Sequence, residues 1–148
     1  MRVPPVAAAL VVGVAMRYAA VALEGGSLRL PGGRIVAIVL AIAGAGVALA
    51  GVLAFRRVDT TPDPMRPERA TQLVVDGIYG HTRNPMYLGL ALALAGWALW
   101  LDDAWALAGV PVFVAWMDRL QIPAEERALA SIFGAQYDAY RGRVRRWL

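Results

Sequence analysis

Residues 35–55 read IVAIVLAIAGAGVALAGVLAF. This run of twenty-one residues carries no charge, and at ~1.5 Å per helical residue it covers the ~30 Å of hydrocarbon in a bilayer. Gly44, Gly46 and Gly51 stand in it among alanines, small residues that let neighbouring helices approach closely. Towards the N-terminus, residues 6–23 form a second apolar run, nearly as long, that contains Arg17. Towards the C-terminus, residues 87–101 and 104–117 are shorter runs separated only by Asp102 and Asp103, a pattern that reads as a tight helical hairpin. The expected fold is all-α: a single integral membrane domain over residues 1–148, with about four transmembrane helices near 6–23, 35–55, 85–101 and 104–118 and a cytoplasmic C-terminal amphipathic helix.

Composition narrows the chemistry. Apolar residues make up 59% of the 148, high for a soluble domain. Cysteine is absent and all fifteen basic residues are arginine. Disulfides, thiolate metal sites, cysteine nucleophiles, Schiff-base lysines and phosphate-loop lysines are therefore excluded. With His81 as the only histidine, a multi-histidine metal site cannot be built, and no metal is expected. The net charge of +4, in a chain this apolar, points to anionic membrane lipids as partner and not to nucleic acid.

The arginines predict an orientation. Arg56, Arg57, Arg66, Arg69 and Arg83 lie between the second and third helices, and Arg119, Arg127, Arg141, Arg143, Arg145 and Arg146 follow the fourth. The outer loops hold Arg29 and Arg34 with acidic Glu24, Asp102 and Asp103. The positive-inside rule then places both termini and the middle loop in the cytoplasm, and brevity with arginine-only basicity suggests a bacterial inner membrane. A rival reading makes the first run a signal peptide, with Arg2 ahead of it and Ala20-Val21-Ala22 as a small-residue cleavage site. Arg17 interrupts that run where a signal peptide should be continuous. Arg17 itself reads equally as an intramembrane functional charge or as a side chain snorkelling from two turns inside the helix.

Between the second and third helices, three prolines at 62, 64 and 67 favour an extended segment over helix or strand. Leu73-Val74-Val75-Asp76-Gly77-Ile78-Tyr79 is a short apolar piece ending in a glycine turn. Asn84 followed by Pro85 should open the third helix, as N-cap and first helical residue. On composition alone this stretch is a capped helix start with an interfacial arginine, and Tyr79 and Tyr87 belong to the aromatic belt. In the tail, Pro123, Glu125 and Glu126 read as the first turn of a helix. Leu129, Ile132, Phe133, Tyr137 and Tyr140 continue it as one apolar-aromatic face. Gly134 falls in the middle of that helix and suggests close approach by another helix or a ligand. The four arginines of residues 141–146 suit lipid phosphates or a solvated basic end.

Together these pieces resemble the isoprenylcysteine carboxyl methyltransferase family and its bacterial and phospholipid-methylating relatives. The elements that carry the resemblance are the 73–79 lead-in, Arg83-Asn84-Pro85-Met86-Tyr87 entering a membrane helix, Glu125-Glu126-Arg127-Ala128-Leu129, and Phe133-Gly134-Ala135-Gln136-Tyr137-Asp138-Ala139-Tyr140. They cover about the C-terminal half of the chain, in order. The resemblance implies an integral membrane methyltransferase using S-adenosyl-L-methionine, bound at the cytoplasmic side by elements 71–87 and 121–148. Leu73, Val74, Tyr79, Asn84, Pro85, Met86, Tyr87 and Glu125 match cofactor contacts, and Arg83 and Glu126 match positions close to the reacting atoms. Asn84 replaces the usual histidine, which keeps hydrogen bonding and loses titration near neutral pH. Gln121, a candidate substrate residue, stands where the eukaryotic prenylcysteine enzymes carry an arginine for the substrate carboxylate.

The implied acceptor is lipid-like or membrane-embedded, a prenylcysteine-type carboxylate or a lipid headgroup, entering between helices. Methyl transfer from a sulfonium needs alignment and exclusion of water more than acid-base help, which suits this composition. Glu125 is expected to bind a polar group of the cofactor, the tyrosine rings to wall the pocket, and Arg83 to orient an anionic group of cofactor or substrate. Three alternatives remain at this level: an NADPH-dependent membrane reductase, a small four-helix transporter, and a non-catalytic membrane partner. The reductase has no glycine-rich fingerprint to support it, and a transporter path would have only Arg17 as its ionisable group.

Overall fold

A computed structural model of the chain describes residues 3–23, 26–56 and 71–148. The proline-rich segment, with Arg57, Arg66 and Arg69, lies outside the described residues, as do Arg2 and Glu24. The described residues are helical, with no strand beyond an isolated bridge between Ser27 and Asp103. The helices are α1 (Pro5–Ala22), α2 (Gly33–Arg56), α3 (Pro85–Leu101), α4 (Ala104–Leu107), α5 (Gly109–Trp116), α6 (Ile122–Phe133) and α7 (Ala135–Arg143). A short 3-10 turn at Gly77–Gly80 precedes α3, and a π-helical turn at Met117–Gln121 joins α5 to α6.

Of the four expected spans, α1 and α2 are long and apolar enough to cross a membrane alone. Helix α3 is a shorter apolar helix of 17 residues, and the fourth segment is divided at Ala108 into α4 and α5. The outward faces of α1 and α2 are apolar: Val14 is 70% exposed and Ile42 68%. Such faces suit hydrocarbon, where the helix itself satisfies every backbone polar group.

Glycines set the packing of α2 on α3. A Cβ added at Gly44 would lie 2.5 Å from the carbonyl oxygen of Gly89, and one at Gly89 would lie 2.5 Å from that of Gly44. One turn-pair further along, a Cβ at Gly96 would meet the Ala37 carbonyl at 2.7 Å. The two backbones are therefore in contact, which only residues without a side chain allow. Gly51 receives Pro85 and Met86, bringing the end of α2 beside the start of α3. Gly46, expected with the others, has nothing within 4 Å and plays no part in this contact.

At the opposite end, Asp102 ends α3 in the left-handed region (φ 53) and Asp103 caps α4 by accepting from Ala106 N–H at 2.9 Å. The α1–α2 loop is tied to this hairpin by Leu28 N–H to Asp102 O at 3.0 Å and Ala104 N–H to Gly26 O at 2.6 Å. Helix α1 packs on the other side of α3, where the Trp97 indole donates to the Gly13 carbonyl at 3.0 Å. The core between them holds Met16, Leu94, Phe113 and Met117.

Two expectations about the tail are corrected. The fourth helix does not stop near 118: it continues through the π turn, where Ile122 N–H bonds back to Met117 O. Pro123 explains the wider turn, since it has no N–H to donate and its ring crowds the preceding turn. Gly134 is not mid-helix. It breaks α6 from α7 with φ 49 and ψ −125, and nothing lies within 4 Å of a Cβ placed there. Its role is backbone conformation, which a side chain would strain, and not close packing.

Valine at Gly44 or Gly89 is expected to destabilise the protein by about 3 kcal/mol, since backbone cannot move aside as a rotamer can. Gly46→Val should leave the thermal unfolding midpoint in detergent unchanged.

Candidate functional site

The end of the bundle where α2 finishes and α3 begins gathers most of the charged residues described. Gly77 (φ 62) turns the chain into the 3-10 turn, and Tyr79 there packs edge-on against Phe55 of α2, ring centroids 5.3 Å apart. Tyr79 is buried, and its carbonyl accepts from the Tyr140 hydroxyl at 2.8 Å. This one bond ties the lead-in before α3 to α7.

Asn84 occupies the N-cap position and Pro85 begins the helix, but the expected side-chain cap is not made. Asn84 Nδ2 instead donates to the Arg146 carbonyl at 3.0 Å. The same carbonyl accepts from the buried Thr82 hydroxyl at 3.2 Å, and Arg83 N–H donates to the Arg145 carbonyl at 3.0 Å. Three consecutive residues, 82–84, thus hold the C-terminal segment as a strap across the start of α3. The Asn84 amide nitrogen serves the tail, and its carbonyl oxygen makes no capping bond to α3.

Two side-chain clusters meet here. In the first, the Tyr87 hydroxyl from the first turn of α3 donates to Glu125 Oε1 of α6 in a short hydrogen bond, and Gln121 Nε2 from the π turn donates to the same oxygen at 2.7 Å. Tyr87 and Gln121 are buried, 3% and 5% exposed. In the second, Glu126 takes Arg83 Nη2 at 3.0 Å and Arg146 Nη2 at 2.6 Å, while Arg146 Nη1 reaches Asp118 Oδ1 at 2.8 Å. Hydrogen bonding to Glu126 raises the Arg146 pKa further, so that side chain is a permanent cation. Burial raises the Tyr79 and Tyr140 phenols, and pushes Tyr137 up to about 12 with help from the Glu126 charge.

Of the residues singled out from sequence, Arg83, Asn84, Tyr87, Gln121, Glu125 and Glu126 are joined through these contacts. Val74 and Pro85 are buried and Leu73 and Met86 half-buried; they add apolar surface beside the polar groups. Sequence reasoning missed Thr82, Asp118 and Arg146. The basic tail is not simply a solvated end or a lipid-facing patch, because the half-buried Arg146 is paired with Glu126 and Asp118. One arginine among four neighbours gives no local signal of that. Asp118, a lone acid at the end of an apolar run, could have been found. Among the described residues no group of three or more metal-ligating side chains occurs.

This arrangement brings into contact the two sequence segments that a hairpin separates. The profile of the phospholipid methyltransferase family matches residues 33–136, well over half of the chain, and the protein belongs to that family. Membership implies methyltransferase activity and, with two apolar spans, association with a membrane. An uncharacterized protein of Haemophilus influenzae is 46% identical over 63 residues, 43% of this chain and all of that protein. No solved structure matches.

Tyr140→Phe should cost about 1 kcal/mol by leaving the Tyr79 carbonyl without its partner, read as a lower unfolding midpoint. The buried phenols set an alkaline limit. Tyr137 titrates at 10.0 in its ordinary state and about 12 here, so the unfolded chain loses its proton first. That stability is complete below pH 10 and falls as the pH rises towards 12, which thermal melts across the range should show.

Proposed function

We propose that the protein is an S-adenosyl-L-methionine-dependent methyltransferase of the bacterial inner membrane. It acts on a lipid-like or membrane-embedded acceptor, a prenylcysteine-type carboxylate or a lipid headgroup. The observation that carries this reading is the hydrogen-bonded set of Tyr87, Gln121 and Glu125, three side chains from two segments at the mouth of the α2–α3 pair. The donor set suits the cofactor: a carboxylate for hydroxyl or amino groups, buried tyrosine rings for a purine or a sulfonium, and no need of a metal.

Leu73, Val74, Tyr79, Asn84, Pro85, Met86, Tyr87 and Glu125 would hold the cofactor, which supplies a methyl group bound to positively charged sulfur. Tyr87 and Gln121 fix the Glu125 carboxylate in one orientation, so binding needs no reordering of that side chain. Val74, Tyr79 and Pro85 exclude water from the reacting groups, which prevents loss of the methyl group to hydrolysis. Arg83 and Glu126 stand beside this set, where an acceptor head would align for in-line attack. Bound there, the cofactor would supply an electrophilic methyl carbon whose leaving group is a neutral thioether.

The arginine distribution supports an orientation with this end, and both termini, in the cytoplasm. Arg56, Arg83, Arg119 and the C-terminal arginines share the site end, whereas Arg29, Arg34, Asp102 and Asp103 share the other. The cofactor is then reached from the cytosol and the acceptor from the bilayer. The transporter alternative draws no support from charges gathered at one end.

Glu125→Ala should abolish binding of S-adenosyl-L-homocysteine measured by calorimetry in detergent, and Tyr87→Phe should weaken it roughly tenfold. Unchanged affinity in the alanine variant would sink the assignment.

A further inference from the structure

The Arg83 side chain is 10% exposed and uses one nitrogen, Nη2, on Glu126. Its Nε and Nη1 are buried and have no hydrogen-bond partner among the described residues. Buried guanidinium donors without an acceptor are costly and uncommon. The reason Glu126 does not satisfy them lies in Arg146. That residue grips Glu126 side-on, Nε to Oε1 at 3.1 Å and Nη2 to Oε2 at 2.6 Å, and anchors its third nitrogen on Asp118 Oδ1 at 2.8 Å. Glu126 is thereby held facing Arg146, and Arg83 keeps a single contact with it.

Arg146 lies beyond the segment matched by the family, residues 33–136. Its position is held independently of its side chain, because its carbonyl is bound by Thr82 and Asn84. Arg83 contacts Glu126 of α6, and its charge acts to lower the Tyr137 and Tyr140 phenols of α7. An acidic group arriving there would find free donors and a cation already desolvated, where a charge-assisted hydrogen bond is strong.

We propose that the Nε and Nη1 donors of Arg83 receive an oxyanion, carboxylate or phosphate, and that Arg146 is the positioning residue that keeps them free by occupying Glu126. The identity of the oxyanion rests on the methyltransferase reading: it is the methionine carboxylate of the cofactor or the anionic headgroup of the acceptor. A purely structural Arg83–Glu126 bridge would need only one donor, which lysine also supplies. Lysine does not supply the planar set of further donors.

The test uses the full chain in dodecyl maltoside micelles, which carry no phosphate, as wild type, Arg83→Lys and Arg146→Gln. Calorimetry compares S-adenosyl-L-homocysteine with 5′-methylthioadenosine, which lacks the carboxylate, and a second arm measures the rise in unfolding midpoint when phosphatidylglycerol is included. If the oxyanion is the cofactor's, both variants lose roughly tenfold to a hundredfold in affinity for the first nucleoside and none for the second. If it belongs to a lipid, nucleoside affinities hold and both variants lose the phosphatidylglycerol shift. Either result supports the receptor. Wild-type behaviour of both variants in both arms overturns it, as does a wild type that responds to neither carboxylate nor phosphatidylglycerol. Wild-type protein that binds neither nucleoside but gains stability from phosphatidylglycerol through Arg83 would sink the cofactor reading and keep the receptor. Should Arg83→Lys fail to fold, Arg146→Gln decides alone, since the strap's backbone bonds remain.

Discussion

The contact of Gly44 with Gly89 sets the frame for everything at the site end. Two helix backbones this close cannot slide or rotate without driving a carbonyl into a neighbouring Cα, so α3 has one register against α2. With that register set, Gly51 lies beside Pro85 and Phe55 meets Tyr79. The start of α3, with Arg83 and Tyr87, is thereby held at a fixed height. A hydrophobic force cannot provide this in lipid, where the surrounding chains are as apolar as the helices. Backbone proximity and the dispersion it allows take its place.

The π turn has the complementary role on the return arm. It carries the chain past Pro123 without ending the helix, so α5 and α6 form one nearly continuous rod from the apolar core to the polar end. Along that rod Glu125 and Glu126 are adjacent, and adjacent residues on a helix point about 100° apart. One carboxylate therefore faces Tyr87 and Gln121, and the other faces Arg83 and Arg146. Two neighbouring acids serve two clusters. Repulsion between the two carboxylates is offset because each has its own donors.

Much of this could be read from residue order. The extents of α1, α2 and α3 follow from apolar runs, interrupted in α1 by Arg17, and the start of α3 follows from Asn84-Pro85. The pairing of residues 83–87 with 125–126 was legible through the resemblance, because a short hairpin returns the chain to the same end. The misreadings share one physical origin. Asn84 had a local role as a cap and took a distant partner, Arg146, instead. Gly134 had the periodicity of a helix interior, yet its backbone adopts a conformation that periodicity does not report. Arg146 was indistinguishable from Arg141, Arg143 and Arg145, since nothing local separates a solvated arginine from one paired with two carboxylates.

Local composition determined that the chain holds helices apolar enough for a membrane, that it lacks thiol, lysine and multi-histidine chemistry, and where its polar residues cluster along the chain. Hydrophobicity, charge and backbone propensity act residue by residue, so they can be read without coordinates. The tertiary structure decided which glycines carry the α2–α3 contact and which acid answers which arginine. It also turned the last five residues into a strap across residues 82–84. These depend on the relative height and rotation of helices far apart in sequence, and that geometry exists only once the backbones have met.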